Sequence, residues 1–221
     1  MKKALVLLSG GQDSTTCLYW ALRNFKDVYA IGFDYGQKHL KEIECAKKIC
    51  KDVGVPYELI NIKGLLGNSA LTNHNEEINS NHKDLKHLPA SFVPARIAVF
   101  LTIATAYAFN KGITDIVTGT CETDFSGYPD CRQRFINSLS VTMTLALDTD
   151  IAIHTPLMYL DKAQTWKLAK DLDCLDVIIN DTMTDYNGDE TMNEWGKGKL
   201  NNPASELRAK GYYQAKEKSW L

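Results

Sequence analysis

Residues 9–16 have the types and the spacing of a segment that binds phosphate. They read Ser-Gly-Gly-Gln-Asp-Ser-Thr-Thr and directly follow an apolar run at residues 4–8. Two adjacent glycines let a backbone turn sharply and approach a ligand closely. The N–H groups of such a turn and of a following helix N-terminus attract anions, and the hydroxyls of Ser9 and Ser14 add donors. The segment therefore predicts a phosphate-binding loop.

The pattern of this loop differs from the two most familiar phosphate-binding patterns. Neither GxxxxGK followed by Ser or Thr nor GxGxxG occurs within it. The alternative explanation is an ordinary Gly-Gly turn in which Asp13 or Ser14 caps the next helix. We favour the phosphate loop because residues 9–14 resemble, as a whole, the pyrophosphate loop S-G-G-x-D-S of the ATP pyrophosphatases. Those enzymes use ATP to activate a carboxylate, amide or carbonyl oxygen and release pyrophosphate.

Hydrophobic periodicity predicts alternating strands and helices around the loop. Strands are predicted at residues 4–8, 28–33, 57–62, 115–118 and 151–154. Helices are predicted at residues 14–23, 40–53, 92–109, 132–147, 162–172 and 204–218. This alternation favours an α/β fold with a parallel sheet and right-handed crossovers, whose carboxyl edge binds ligands. We predict an α/β domain at 1–180, a small C-terminal helical appendage at 181–221, and a polar excursion or lid at 68–87.

Composition excludes several classes of protein. The 221 residues are 44% hydrophobic and 24% charged, with a net charge of −2, which is typical of a globular chain and not of a disordered one. Such a balance provides no basic field for non-specific nucleic-acid binding. The first apolar run is shorter than the roughly 7–15 residues of a signal peptide core. Six cysteines without a CxxC pair favour a reducing compartment, so we predict a cytoplasmic protein with no membrane partner.

Further segments narrow the resemblance. They are residues 33–39 (FDYGQKH), 92–96 (FVPAR), 118–132 (TGTCETDFSGYPDCR), 154–158 (HTPLM) and 162–166 (KAQTW). With the phosphate loop, they resemble the QueC family of 7-cyano-7-deazaguanine synthases. The resemblance implies a Rossmann-like, adenine nucleotide alpha hydrolase-like, three-layer sandwich of the PP-loop type.

The resemblance also implies an activity. The family makes 7-cyano-7-deazaguanine from 7-carboxy-7-deazaguanine, ammonia and ATP, on the route to queuosine. The expected protein is an ATP-dependent carbon–nitrogen ligase, with ATP and Mg²⁺ as cofactors and a homodimeric state. Two alternatives remain open: a divergent relative that stops at the 7-amido product or modifies another acceptor, and a nucleotide-binding protein without turnover.

The resemblance assigns the nucleotide site to the phosphate loop and its flanks. The implied ATP-binding residues are Leu8, Ser9, Gly10, Gly11, Gln12, Asp13, Ser14, Thr15, Thr16, Cys17 and Leu18. Catalytic roles are implied for Asp13, Arg96 and Lys162. Asp13 is also expected to help hold magnesium, Lys162 to lie near the nucleotide, and Arg96 to contact a phosphate or a carboxylate.

Other residues are expected on the deazapurine side. The implied substrate-binding residues are Gln37, His39, Glu122, Asp124, Tyr128, Asp130 and Arg132. The carboxylates among them suit the ring N–H and amino groups of a deazapurine, and Tyr128 or Phe125 could stack on its face. Each also has a structural explanation. For example, Asp130 could cap a helix or pair with Arg132, and Tyr128 could belong to the core.

The sequence departs from the family pattern in two places. Where the family has four zinc-binding cysteines, this chain has Asp185, Lys199, Asn202 and Ser205. These are poor zinc ligands, so we expect no zinc site, an Asp185–Lys199 pair, and packing anchors at Trp195, Tyr212 and Tyr213. The second departure is Pro-Ala-Arg-Ile at residues 94–97, where the family has Pro-Gly-Arg-Asn.

Overall fold

A parallel sheet places the phosphate loop at its centre. The computed structural model describes residues 2–37, 40–66, 92–123 and 128–221. Five parallel strands, in the order β3-β2-β1-β4-β5, form the sheet. They are β1 (Lys3–Leu7), β2 (Asp27–Asp34), β3 (Tyr57–Asn61), β4 (Asp115–Val117) and β5 (Ala152–His154). Because the strand order reverses between β1 and β4, the carboxyl end of β1 is the switch point at which such sheets bind ligands.

Helices cover both faces of this sheet. They are α1 (Gln12–Asn24), α2 (Lys41–Val53), α3 (Arg96–Phe109), α4 (Gln133–Leu147), α5 (Lys162–Asp171), α6 (Leu175–Asp181) and α7 (Pro203–Glu217). A short hairpin, β6 (Met192–Asn193) and β7 (Gly196–Lys197), and a 3₁₀ turn at Pro129–Cys131 complete the described elements. The order of strands and helices confirms the predicted α/β fold.

The alternation of side chains along β1 explains the three layers. Ala4 and Val6 pack into one buried cluster with residues of α1 and α2. Leu5 and Leu7 point to the opposite face and pack into a second cluster with residues of α3 and α4. Since both faces of the strand are covered, its residues are apolar without interruption, as in other parallel sheets.

The C-terminal segment packs on the main domain through α5. Trp166 of α5 lies in one buried cluster with Trp195 and with Ala209 of α7. The ring of Tyr212 meets that of Trp166 edge-on at 5.2 Å. Trp195 and Tyr212 are therefore packing anchors as predicted, whereas Tyr213 is exposed and its ring meets that of Tyr212 at 5.6 Å. The boundary near residue 180 stays a prediction.

The described elements differ from the predicted ones at the start of α3 and in the C-terminal part of the chain. The helix predicted from residue 92 begins at Arg96. Ala95 has the left-handed conformation, with a φ of 56°, and a residue in this conformation cannot be part of a right-handed helix. Helix α6 and the β6–β7 hairpin were not predicted. The excursion at 68–87 lies outside the described residues, and among the described helices none is long and apolar enough to cross a membrane.

The left-handed conformation of Ala95 yields a stability prediction. A residue with a Cβ is strained there by about 1 kcal/mol, whereas glycine is not. Ala95→Gly should therefore raise the free energy of unfolding by about 1 kcal/mol and the thermal midpoint by about 2–4 °C. The control is Ala98→Gly, inside the same helix, which should lower stability by about 1 kcal/mol. Equal losses in the two variants, measured by thermal unfolding, would contradict the strain at Ala95.

Candidate active site

The phosphate loop depends on a close approach between Gly10 and helix α2. Gly10 has a φ of +97°, and a Cβ added there would lie 1.9 Å from the backbone oxygen of Glu42. Only glycine fits this contact and this conformation. The oxygen of Gly10 accepts a hydrogen bond from the Met183 N–H at 3.1 Å. The turn after β1 is therefore fixed between α2 and the segment that follows α6.

Two serines close the loop on itself. The Oγ atoms of Ser9 and Ser14 lie 3.0 Å apart, and the Ser9 N–H donates to Ser14 Oγ at 3.2 Å. The Gly11 N–H donates to Ser9 Oγ at 3.3 Å. The loop then enters α1, whose first N–H groups have no intrahelical acceptor and carry the positive end of the helix dipole. This arrangement suits a phosphate.

The segment after β4 borders the first turn of α1. A Cβ on Gly119 would lie 3.0 Å from the carbonyl carbon of Asp13 and 3.1 Å from the nitrogen of Ser14. Glycine therefore lets the end of β4 come into contact with the start of α1. The two strands that flank the switch point thus contribute to one edge of the site.

Lys162 and Asp13 form an ion pair at this edge. The Nζ of Lys162 lies 3.0 Å and 2.9 Å from the two carboxylate oxygens of Asp13. The Lys162 side chain is only 9% exposed and that of Asp13 is 29% exposed. Helix α7 supports the lysine, because a Cβ on Gly211 would lie 2.6 Å from Lys162 Cγ. The predicted catalytic residues Asp13 and Lys162 are therefore in contact at the loop.

A buried arginine connects the loop to the C-terminal segment. Arg208 NH1 donates to the hydroxyls of Thr182 and Thr184, at 2.9 Å each. The hydroxyl of Thr184 in turn accepts from the Gln12 N–H at 3.4 Å. Burial lowers the pKa of Arg208 to about 10, which leaves it charged at neutral pH. This positive charge adds to the field that favours an anion at the loop.

Arg96 lies among tyrosines at the start of α3. Its NH1 lies 3.4 Å from the Tyr35 hydroxyl, and its guanidinium carbon is 5.8 Å from the ring centroids of both Tyr35 and Tyr128. Tyr186 interacts electrostatically with the same guanidinium. A guanidinium held between aromatic rings can bind a carboxylate or a phosphate in a fixed orientation.

Glu42 belongs to the site, although the sequence analysis did not select it. Its Oε1 lies 3.6 Å from the position of a Cβ on Gly11. Burial raises the pKa of Glu42 to about 7, although the Arg96 guanidinium acts in the opposite direction. One signal was available in the sequence: Glu42 lies four residues before Ala46 and seven before Ile49, on the buried face of α2.

Comparison with known proteins decides the family. A profile of the family described as "Queuosine biosynthesis protein QueC" matches residues 3–216. A 7-cyano-7-deazaguanine synthase from Clostridium novyi (strain NT) is 47% identical over 219 residues, covering 98% of this chain and 96% of that one. The chain belongs to the QueC family. This confirms the resemblance on which the sequence analysis relied.

Solved structures share the fold of this QueC family member at low identity. A 4-thiouridine synthetase in complex with RNA and ATP has a TM-score of 0.52 at 16% identity, covering 98% of this chain and 53% of that one. The tRNA thiolase NcsA from Methanococcus maripaludis has a TM-score of 0.50 at 16% identity, covering 98% and 67% of the two chains. These likenesses confirm the PP-loop, Rossmann-like architecture.

Several residues of the predicted nucleotide site are buried behind the loop. Leu8, Cys17 and Leu18 lie in the cluster between the sheet and α1. The hydroxyl of Thr16 donates to the Gln12 oxygen within the helix at 2.9 Å, and the Thr15 side chain is fully buried. The side chains of these five residues are buried and support the loop from within the domain.

The residues predicted to bind the deazapurine lie in different settings. Glu122 accepts from the Gln133 N–H at 3.1 Å and Asp130 from the Ile97 N–H at 2.9 Å, so that each caps a helix. Gln37 bonds to the backbone of Tyr35 and Phe33 within its own turn, and Arg132 occupies the N-cap position of α4. Tyr128 is next to Arg96, while His39, Asp124 and Phe125 lie outside the described residues.

A carboxylate occupies the place of the family's zinc cysteines. Asp185 Oδ2 accepts from Ser205 Oγ and Asn202 Nδ2, at 2.8 Å each, and from the Lys199 N–H at 3.2 Å. Asp185 Oδ1 accepts from the Asn187 N–H at 2.8 Å. All four positions thus meet at one carboxylate, which is buried beside Thr184.

The expected pairing of Asp185 with the Lys199 ammonium is wrong. The Lys199 ammonium pairs with Asp189 at 2.7 Å, and only the Lys199 backbone N–H reaches Asp185. Burial opposes ionisation of Asp185, but the hydrogen bonds outweigh it and lower its pKa. A backbone N–H, an amide and a hydroxyl around one carboxylate do not fit zinc, whose ligands here would be thiolates or imidazoles.

The hydrogen-bonded cluster yields a stability prediction. Asp185→Ala leaves buried donors without an acceptor, so it should lower the free energy of unfolding by about 3 kcal/mol. The thermal midpoint should fall by about 6–12 °C. Glu190→Ala, which removes an exposed ion pair with Lys41 in the same segment, is the matched control and should change the midpoint little. A chelator should leave the wild-type midpoint unchanged; a chelator-dependent loss would contradict the cluster.

Proposed function

We propose that this chain converts 7-carboxy-7-deazaguanine and ammonia into 7-cyano-7-deazaguanine with the consumption of ATP. The observation that carries this proposal is the phosphate loop at the switch point, with the Nζ of Lys162 bonded to Asp13 of that loop. Membership of the QueC family, at 47% identity to a relative named 7-cyano-7-deazaguanine synthase, supports the choice of substrate.

The proposed chemistry activates an oxygen twice. A carboxylate is a poor electrophile because its charge is delocalised. When its oxygen attacks a phosphorus atom of ATP, the bond from that phosphorus to the departing part of the phosphate chain breaks, and the carbonyl carbon gains a leaving group. Ammonia then displaces that group and loses a proton to give the 7-amide. The amide oxygen then attacks a phosphorus atom of a second ATP in the same way. Loss of that oxygen with its phosphorus, together with two protons from nitrogen, leaves the nitrile.

The residues of the site match these steps. The phosphate loop and the N-terminus of α1 bind the ATP phosphates, and Lys162 neutralises the charge that develops as the leaving group departs. Arg96, at the start of α3, holds the substrate carboxylate, and the Tyr128 ring beside it offers a face for the deazapurine. Orientation of two reactants and neutralisation of phosphate charge are the main contributions of the protein.

The remaining polar residues of the resemblance keep their proposed roles. Gln37, His39, Glu122, Asp124, Asp130 and Arg132 are proposed to line or support the deazapurine side. The caps that Glu122 and Asp130 provide fix the starts of α4 and α3, which bear on the position of Arg96. Their effect on substrate binding would therefore be exerted largely through the backbone.

Magnesium is proposed to enter with ATP. Mg²⁺ is commonly held by one or two carboxylates together with substrate phosphates, and Asp13 is a partly exposed carboxylate at the loop. The ion would neutralise phosphate charge. The positive charge of Lys162 neutralises the negative charge of Asp13 in their ion pair. The Asp13 carboxylate therefore does not repel an anionic nucleotide at the loop.

The cellular location, the oligomeric state and the class of substrate are further proposals. The six cysteines are free of disulfides. This favours a reducing compartment, and we propose a cytoplasmic location. A homodimer is proposed from the family, and a small-molecule substrate rather than nucleic acid from the net charge of −2.

Product mass tests the proposed function. Wild-type protein with 7-carboxy-7-deazaguanine, ATP, magnesium and ammonium should give the nitrile. Lys162→Met keeps the packed stem of the side chain and removes its charge, so nitrile formation should fall about 100-fold or more. Lys167→Met, on the exposed side of the same helix, is the matched control and should keep full activity.

Each other product would replace the proposal with a different function. The amide alone would identify an enzyme that stops at the first step. Unreacted acid with bound ATP would identify a nucleotide-binding protein or an enzyme with another acceptor. Equal activity of Lys162→Met and wild type would contradict the role of Lys162.

A further inference from the structure

The Glu42 carboxylate lies at the phosphate loop, and the steps above make no use of it. A Cβ added to Gly11 would lie 3.6 Å from Glu42 Oε1 and 3.5 Å from Ser9 Oγ. The Glu42 carboxylate is therefore about as close to Gly11 as the Ser9 hydroxyl is. Asp13, the other carboxylate at the loop, is bonded to Lys162 through both oxygens. Glu42 makes no ion pair or side-chain hydrogen bond within the described part of the chain. A carboxylate in this setting is costly unless a ligand or a proton satisfies it.

One cation and several neutral groups interact electrostatically with Glu42 from the elements around it. They are Tyr35 after β2, Tyr57 of β3, Cys45 of α2, Arg96 of α3 and Tyr186 of the C-terminal segment. The Tyr57 hydroxyl is buried and has no hydrogen-bond partner in the described ranges. The Glu42 carboxylate and the Tyr57 hydroxyl are thus two polar groups without a partner among the described residues, and Glu42 lies beside the loop at Gly11.

The protonation of Glu42 suits proton transfer at neutral pH. Burial raises its pKa to about 7, and the only opposing contribution comes from Arg96. A general base is most effective when its pKa is close to the working pH. Ammonia is present in neutral water mainly as ammonium, which has no lone pair and cannot attack a carbonyl carbon. The reaction thus needs a proton acceptor near the loop.

We propose that Glu42 binds the ammonium ion and accepts its proton, so that ammonia is released beside the carbonyl activated at the phosphate loop. The inference rests on the proposed function. One N–H bond breaks and its proton passes to a Glu42 oxygen. The nitrogen lone pair then forms the C–N bond, and the C–O bond to phosphorus breaks, with its electron pair leaving on the phosphate oxygen. As the adduct collapses to the amide, the nitrogen loses a second proton to solvent, and Glu42 also returns its proton to solvent.

The surroundings favour ammonium over two other ligands. Ammonium carries a single charge and N–H donors, so one carboxylate can bind it through a charge-assisted hydrogen bond. A divalent cation takes several oxygen ligands, whereas Glu42 brings a single carboxylate to this place. A deazapurine edge would also suit a carboxylate acceptor, and the experiment below distinguishes it.

The test compares two nucleophiles in two variants. Glu42→Gln keeps the shape of the side chain and removes its basicity, and Glu44→Gln, exposed on the same helix, is the matched control. Amide formation from ammonium at neutral pH should fall about 100-fold in Glu42→Gln and not in Glu44→Gln. Hydroxylamine is uncharged at neutral pH, so hydroxamate formation should stay close to wild type. Thermal unfolding and ATP binding should be unchanged in both variants.

A pH profile provides a readout that a structural role would not change. In the wild type, kcat/KM for total ammonium should rise up to the pKa of Glu42 and then level off. In Glu42→Gln it should keep rising with the concentration of free ammonia. If both profiles follow free ammonia, Glu42 is not the proton acceptor and the inference is wrong.

The remaining outcomes separate this inference from the proposed function. If Glu42→Gln loses both nucleophiles equally, Glu42 binds the deazapurine or supports the fold, and the inference is overturned. If Glu42→Gln keeps full activity with ammonium, the inference fails while the synthase function stands. If the wild type forms neither amide nor hydroxamate, the proposed function fails and the inference fails with it.

Discussion

The contact between Gly10 and the backbone of Glu42 is the constraint on which the site depends. The place of a Cβ on Gly10 is already taken by a peptide oxygen, at 1.9 Å, so this turn can pack on α2 only as glycine. Because α2 lies so close, the Glu42 side chain reaches the loop, and the Met183 N–H closes the other side of Gly10. One steric condition thus brings the phosphate loop, α2 and the C-terminal segment together.

The C-terminal segment acts as a support for the loop. Arg208 holds Thr184, which bonds to the first residue of α1, and the neighbouring Asp185 gathers the positions at which the family has zinc cysteines. A buried carboxylate with several donors can replace a metal as the centre of such a segment, because it too orients several groups around one point. The loss of zinc ligands therefore leaves the loop with its support.

The sequence predicted the sheet and most of the helices because their patterns are local. Apolar runs and a Gly-Gly turn identify β1 and the loop without knowledge of any contact. The role of Glu42 depends on α2 meeting a loop about thirty residues away in the chain, and Asp185 takes three of its partners from residues fourteen to twenty positions later. Burial and partner identity at such distances follow from packing, which no single segment records. For the same reason the cap formed by Glu122 became visible only in the structure, and so did the helix that Asp130 caps, which is α3.

The central claim is that ATP activates the substrate oxygens at this loop, and isotope transfer tests it most directly. The measurement uses 7-carboxy-7-deazaguanine with ¹⁸O in both carboxylate oxygens and follows the label by mass spectrometry. The account predicts that, for each nitrile formed, both labelled oxygens of the substrate carboxylate appear on phosphorus in the products of ATP. Label released into water instead would contradict it, because the oxygens would then have left without attachment to ATP.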